Sequence, residues 1–308
     1  MVERAEIERA ARLIRAGELV AFPTETVYGL GANALDAAAV GRIYAVKGRP
    51  LTSPLIVHVS SVEMARGLAR EWPETAAALV GRWWPGPLTV IVNKSEAVPD
   101  IVTAGLGTVG LRMPAHEVAL ALIEAAGVPV AGPSANLFSR VSPTTAEHVR
   151  AGLGEKVAMV LDGGACAVGI ESTVVSVAGE EPVLLRPGMI AVEELEQVTG
   201  RRFGEFRREG KADPAPGMTA RHYSPETPLY IGAPRAGRGA YVYWKERAVA
   251  AEVVAMPASA WGYAAALYDV LHRLDKGGWE WIAVEPVPET GEWAGVADRL
   301  RRAAAGRK

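Results

Sequence analysis

The 308-residue chain carries a single cysteine, Cys166, so no intramolecular disulfide can form and no cysteine-based zinc site can be assembled. Cys166 stands in the run Gly163-Gly164-Ala165-Cys166-Ala167 with no histidine close by in sequence, which favours a small turn residue over a nucleophile. The five histidines, at 58, 116, 148, 222 and 272, lack metal-ligand spacing. There is no Gly-x4-Gly-Lys-Ser/Thr phosphate loop and no Gly-x-Ser-x-Gly nucleophile elbow. An excess of one charge is missing too. The formal net charge of −2 argues against broad, sequence-independent binding to nucleic acid, although a local basic groove stays open. No uncharged apolar run approaches the roughly 18 residues of a membrane span. Residues 1–17 are charged throughout and have no apolar segment of a secretory signal. A soluble, cytoplasmic protein is the expectation.

What is present is an ordinary globular composition, 49% apolar and 22% charged, at a length that suggests two domains. Residues 6–16 place Ile7, Ala10, Ala11 and Ile14 on one helical face, stopped by Gly17. Residues 19–22 read as a buried strand, and Asp36 caps a helix to about residue 46 with Gly48 just past its end. Strand-like runs follow at 55–59, 88–92, 108–113, 128–131, 157–161, 173–177 and 182–186, with helices near 61–70, 74–83, 116–126 and 145–151. This is a mixed α/β pattern. Residues 200–228 then hold Arg201, Arg202, Arg207, Arg208, Lys211, Pro214, Pro216 and Gly217 with little apolar periodicity, the composition of a linker. Beyond it, strands at 229–231, 240–244, 252–256 and 281–285 alternate with helices at 261–275 and 292–304, the pattern of a small parallel α/β unit. The expected division is 1–199, 200–228 and 229–308.

Three segments could carry chemistry. Residues 23–31 (Pro-Thr-Glu-Thr-Val-Tyr-Gly-Leu-Gly) leave a buried strand with a proline and paired glycines, and Thr24, Thr26 and Tyr28 would share one face of an extended segment. A plain hairpin corner explains them as well. The Gly29-Leu30-Gly31 run imitates a dinucleotide fingerprint but fails its check, because basic Arg49 stands where an acid is needed. Lys47-Gly48-Arg49-Pro50 is a rigid cationic turn able to bind phosphate or carboxylate. Cations complementing a helix C-terminus would be the commoner reason for it, but an apolar strand ending in His58 follows at once. Gly132-Pro133-Ser134-Ala135-Asn136 follows an apolar run and suits either nucleotide contacts or a capped turn. Ser142, Ser172, Thr173, Arg112 and Arg186 lie near strand ends, and the two arginines would make an anion site with Lys47 and Arg49 if those ends converge. The Arg82-Trp83-Trp84-Pro85-Gly86-Pro87 run reads better as core at a helix end than as a stacking platform.

Taken in order, these segments resemble a known family. Residues 22–31, Lys47-Gly-Arg49, Pro54-Leu-Ile-Val-His58, Trp84-Pro-Gly-Pro-Leu-Thr89, Gly110-Leu-Arg-Met-Pro114, Pro133-Ser-Ala-Asn136 and Glu171-Ser-Thr173 span about 165 residues and are similar to the YrdC-like threonylcarbamoyl-adenylate synthases. Pro216-Gly-Met-Thr-Ala-Arg-His-Tyr-Ser-Pro225 and Ala297-Asp-Arg-Leu-Arg-Arg302 resemble the linker and last helix of the long, two-domain form. The resemblance implies a YrdC-like mixed parallel/antiparallel twisted sheet with flanking helices, plus a small Rossmann-like C-terminal domain. It implies that L-threonine, bicarbonate and ATP give threonylcarbamoyl-AMP, pyrophosphate and water. A partner tRNA threonylcarbamoyl transferase would consume the product, and direct binding of tRNA is left open. Lys47 and Arg49 would hold the phosphates, with Ser53, Thr108, Ser134, Asn136, Ser142 and Arg186 around the nucleotide. Thr26, His58, Arg112, Gly132 and Ser172 would hold threonine, Arg112 pairing its carboxylate. Mg2+ would enter with the ATP phosphates, with no metal held by the chain. The linker would fold back as a lid, with His222 or Tyr223 touching a ligand. A non-catalytic RNA-binding module is the rival reading. A hydrogenase-maturation carbamoyl transferase is disfavoured by the single cysteine.

Overall fold

In a computed structural model, which describes residues 2–206, 215–218 and 221–305, helix starts follow from side-chain caps. Asp36 accepts from the amides of Ala38 and Ala39, and Ser61, His116, Thr145 and Ser259 cap four later helices in the same way. Glycines in the left-handed region end others, among them Gly48 at φ 62° directly after Lys47. The order is α1 (Arg4–Arg15), β1 (Val20–Phe22), β2 (Gly29–Asn33), α2 (Ala37–Lys47), β3 (Ile56–His58), α3 (Val62–Leu68), α4 (Glu74–Trp83), β4 (Leu88–Asn93), α5 (Asp100–Thr103), β5 (Thr108–Arg112), α6 (Glu117–Ala126) and β6 (Val130–Ala131). Then come α7 (Ala146–Leu153), β7 (Met159–Val160), β8 (Thr173–Ser176), β9 (Val183–Arg186), α8 (Val192–Thr199) and β10 (Gly204–Glu205). The chain closes with β11 (Leu229–Ile231), β12 (Gly239–Tyr243), β13 (Glu252–Ala255), α9 (Ala260–Asp275), β14 (Trp281–Val284) and α10 (Ala294–Ala304).

The first ten strands form one sheet in the order β10-β9-β8-β4-β5-β3-β6-β2-β1-β7. It is mixed: β3/β5, β4/β8, β1/β7 and β9/β10 run parallel, the other neighbours antiparallel. Helices α1 and α6 cover Val20, Phe22 and Val130, while α2, α4 and α7 contribute to a larger core with Leu30, Val57 and Leu111. The remaining four strands are all parallel, in the order β11-β14-β12-β13, with α9 and α10 packed on one face. The mixed sheet with flanking helices and the small parallel α/β unit are therefore both present.

Four elements had no counterpart in the sequence reading. Strand β2 pairs antiparallel with β1, Phe22 opposite Gly29, inside a run read as a ligand-facing turn. Its glycines serve packing, since a Cβ at Gly29 or Gly31 would stand 2.9–3.0 Å from the Phe22 ring. Helix α8 falls in a stretch given no element and strand β10 inside the expected linker, and Leu195 and Phe203 join the main core. The short α5 was missed because one helical turn shows no periodicity. Residues 207–214 and 219–220 of the expected linker lie outside the described residues. None of the described helices is long and apolar enough to cross a membrane.

Candidate anion-binding site

The sheet brings one set of strand ends together. His58 and Arg112 are the last residues of β3 and β5 and stand opposite each other, and Arg186 is the last residue of β9. Ser172 immediately precedes β8, on the same edge. Arg49, Arg112 and Arg186 line a single cleft, so three of the four expected cations converge, while Lys47 is not part of the lining. His58, Gly132, Ser134, His222 and Tyr223 also line it.

The turn after β1 is bent rather than extended. Thr24 Oγ1 accepts from the amides of Thr26 and Val27 and donates to the Val27 carbonyl at 2.6 Å, so it forms a local hydroxyl turn. Thr26 meets it hydroxyl to hydroxyl at 2.9 Å. Tyr28 does not share their face as alternation suggested, because its phenol donates to the Gly164 carbonyl at 2.7 Å. Thr24 reaches the cleft wall, and Thr26 lies behind it.

Lys47 is buried, and its ammonium donates to the Ser134 and Asn136 carbonyls. The Phe138 amide donates back to the Lys47 carbonyl at 2.8 Å, so helix α2 and the Ser134–Asn136 turn are tied together. Burial and the neighbouring Arg49 both push the Lys47 pKa well down. Arg49 donates through Nε to the Ser53 carbonyl, and through Nη2 to the Ser53 hydroxyl and the Pro54 carbonyl at 2.8 Å. Ser53 is thus at the site as Arg49's anchor. Thr108, at the opposite end of β5 from Arg112, is half-buried and does not line the cleft.

On the other side, His58 is held neutral: burial and the adjacent Arg112 lower its pKa to about 3. Its Nδ1 has no hydrogen-bond partner. A Cβ on Gly132 would stand 3.0 Å from that nitrogen and 3.2 Å from the Phe22 ring, so any larger residue presses on the imidazole. Arg112 Nη2 lies 2.8 Å from Glu25 Oε2, both groups buried, but without the alignment of a hydrogen bond. Arg186 donates from Nε and Nη2 to the Ser172 carbonyl and from Nη2 to its hydroxyl, which also meets Thr89 at 2.8 Å. Ser142 donates to Glu171 Oε1 at 2.6 Å. Burial raises the Glu171 pKa, but Arg299, Arg186 and the Ser142 hydroxyl overcome it and bring it below the ordinary value.

The far wall comes from the segment after residue 214. Arg186 Nη1 donates to the Pro216 carbonyl at 3.0 Å, and Gly217 adopts φ 80° beneath the Tyr223 phenol. His222 packs edge-on against Phe138, and its ring stands 4.1 Å from that of Tyr223. Tyr223 is buried at φ 59°, a strained backbone for a non-glycine residue. Burial, then Arg49, Lys47, Arg186 and Arg299, push the His222 pKa well down, which reports how electropositive the cleft is. His222 Nδ1, Tyr223 Oη and Asn136 Oδ1 are buried without hydrogen-bond partners. Orphaned buried polar atoms are uncommon away from functional sites.

Sequence reasoning named Thr24 only as part of the 23–31 segment and assigned no role to Glu25, Glu171, Tyr268 or Arg299. Glu171 heads a motif and could have been questioned, whereas Tyr268 and Arg299 act 97 and 128 residues away with no local signal. Cys166 is buried, and burial pushes its thiol up to about 12, which leaves it unreactive at neutral pH. Trp83 and Trp84 are half-buried against the main core, the latter donating to the Leu88 carbonyl.

A buried cleft of arginines and hydroxyls at strand ends defines a binder of small anionic molecules. Residues 12–188 match the family model described as Telomere recombination (Sua5, yciO, yrdC), and residues 190–305 match that described as Threonylcarbamoyl-AMP synthase, C-terminal domain. The threonylcarbamoyl-AMP synthase of Pyrococcus abyssi is 42% identical over 98% of this chain and 95% of its own. That of Bacillus subtilis is 42% identical over 98% and 94%. The crystal structure of P. abyssi Sua5 complexed with L-threonine matches with a TM-score of 0.93 at 41% identity, covering 100% of this chain and 96% of that one. The chain belongs to the threonylcarbamoyl-AMP synthase family, in its two-domain Sua5 form.

Proposed function

We propose that the chain is a threonylcarbamoyl-AMP synthase, converting L-threonine, bicarbonate and ATP into threonylcarbamoyl-AMP, pyrophosphate and water. The observation that carries this reading is the convergence of Arg49, Arg112 and Arg186 on a cleft bordered by neutral His58 and by buried polar atoms without partners. The threonine amine condenses with bicarbonate to a carbamate, releasing water. A carbamate oxygen then attacks the α-phosphorus of ATP and pyrophosphate leaves. Such a transfer needs positioning and positive charge more than a strong base.

In this reading Arg49 and Arg186 face the phosphates, and Lys47 has one N–H left after its two carbonyl bonds. Ser53, Ser134, Asn136 and Ser142 surround the nucleotide, whereas Thr108, at the far end of β5, is left out of the set. Arg112, poorly aligned with Glu25, turns to the threonine carboxylate, while Thr26, His58, Gly132 and Ser172 shape the pocket around the amino acid. His222 and Tyr223 close the nucleotide side as a lid from the linker. No group of three or more His, Cys, Asp or Glu among the described residues could hold a metal ion. Glu25 and Glu171 are both engaged by arginines. Mg2+ in this scheme is carried in on the nucleotide, as substrate. The product passes in the cytoplasm to a tRNA threonylcarbamoyl transferase.

The test is pyrophosphate release from ATP, with threonine and bicarbonate each omitted in turn. Release should require all three. Release that ignores threonine would refute this reaction, and tight salt-sensitive tRNA binding with no ATP consumption would replace this reading by the RNA-binding one.

A further inference from the structure

Glu171 poses a problem of charge. Its carboxylate belongs to the wall of a cleft assigned to an anionic nucleotide, where an uncompensated negative charge would oppose binding. The compensation comes from the other end of the chain. Arg299, on α10, is fully buried and donates from Nε to Glu171 Oε2 at 2.8 Å and from Nη2 to the Glu171 carbonyl at 3.1 Å. Its Nη1 donates to the Pro187 carbonyl and to Asp298 Oδ2, at 2.8 and 2.9 Å. The Tyr268 phenol, on α9, donates to Glu171 Oε2 at 3.0 Å. With Oε2 so held, Oε1 accepts from the Ser142 hydroxyl at 2.6 Å. His272, also on α9, holds Ser142 from its other side, 3.1 Å from the carbonyl. Ser142 is thus fixed through its carbonyl by one helix of the C-terminal unit and through its hydroxyl by a carboxylate that both helices aim.

We propose that Arg299 is a positioning residue of the nucleotide site: by neutralising and aiming Glu171 it sets the Ser142 hydroxyl and keeps a bare carboxylate from the phosphates, so that docking of the C-terminal unit completes the site. The inference rests on the assignment of ATP to this cleft. It differs from a role in stability because it names the substrate that suffers and the charge that causes the harm. Truncating Arg299 should weaken ATP binding while sparing threonine, whose side of the cleft is built by His58, Gly132 and Arg112, with the Ser172 hydroxyl held by Arg186 and Thr89 rather than by Arg299. Neutralising Glu171 in the same chain should undo most of the damage.

The experiment uses the full chain and pyrophosphate release, with ATP and threonine varied separately. Arg299→Ala should raise the KM for ATP roughly 10- to 100-fold and change that for threonine less than about two-fold. Adding Glu171→Gln to that variant should recover most of the rise, because an amide fills the same space without the charge. Any other pattern overturns the proposal: an unchanged KM for ATP, a parallel rise for both substrates, or a double variant no better than the single one. Should Arg299→Ala fail to fold, Tyr268→Phe decides, since it removes one donor to Glu171 and leaves the ion pair. It should raise the KM for ATP about three-fold, and no change there refutes the idea. A wild-type chain that releases no pyrophosphate refutes the functional assignment instead, so the two failures are told apart.

Discussion

Arg49 illustrates how one side chain joins structure to chemistry. Its guanidinium pins the Ser53–Pro54 turn through three hydrogen bonds, and it also forms part of the cleft wall. Arg49→Ala should therefore lose about 3–5 kcal/mol in kcat/KM, because it removes a cation from a partly desolvated site and takes its guanidinium partner from the Ser53 hydroxyl. Circular dichroism should show the variant folded, and pyrophosphate release near the wild-type rate would contradict the phosphate assignment. Arg49→Lys should fall between the two, since an ammonium cannot reproduce the planar fork. At this scale much of the site was legible in sequence, because Arg112, Arg186, His58 and the Ser134–Asn136 turn sit at strand ends, and Arg49 just past a capped helix, that local patterns mark. Glu171's partners were not legible. An ion pair closed over 128 residues leaves no trace in spacing, and Thr108 shows the converse, a motif-adjacent hydroxyl that does not reach the cleft wall.

Among elements, the helices of the C-terminal unit meet the large sheet unusually closely. A Cβ on Gly295, in the first turn of α10, would stand 2.5 Å from the Gly188 carbonyl oxygen and 2.7 Å from its carbon. Gly169, at φ 82°, would meet the Ala264 carbonyl of α9 at 2.3 Å. Backbone faces backbone at both points, so neither side can yield by a rotamer change. Gly295→Ala must push α10 outward, away from the seat that lets Arg299 reach Glu171. A loss of about 1–3 kcal/mol in unfolding free energy is expected, with a fall in activity beyond that of an equally destabilised surface variant. Denaturant titration beside pyrophosphate release checks both parts, and an unchanged midpoint would show that the helix tolerates the shift. Helices α1 and α2 were readable from the apolar face of residues 6–16, the Asp36 cap and the Gly17 and Gly48 stops, and most strands of both sheets from their apolar runs. Strand β2 was not, because its glycines, chosen to clear the Phe22 ring, look like turn residues in sequence. Helix α8 was hidden for another reason: among its buried positions only Leu195 is apolar and fully enclosed, which is too little for a period.

The molecule as a whole is held together by a core that ignores the boundary between its two sheets. Val27, Val141, Val168, Ile170 and Met189 from the first part pack with Tyr223, Leu267, Leu271 and Val296 from the rest. Three titratable groups on this shared surface, His148, His272 and Glu171, act in the same direction on acidification, burial lowering the His148 pKa as well. His272 stacks on His148 at 4.0 Å and faces Asp275 and Lys276 on its own helix and the Ser142 carbonyl across the contact. Burial, then the neighbouring His148, lower its pKa from 6.5 to about 4. A histidine with a depressed folded pKa binds its proton more tightly when unfolded. Stability is therefore full above about pH 6.5 and declines toward pH 4, by about 3 kcal/mol in all. Glu171 has a folded pKa below the ordinary value, so its contribution is present above about pH 4.3 and is lost only as the pH falls further, through that folded value. Acidification should thus loosen the two halves in order, first at the stacked histidines and then at the Glu171–Arg299 pair. Unfolding free energies measured at pH 7 and pH 4.5 should differ markedly for the native chain and much less for His272→Gln. If that variant keeps the native pH dependence, the early acid sensitivity belongs to another group and the histidine stack is not what couples protonation to the contact between the halves.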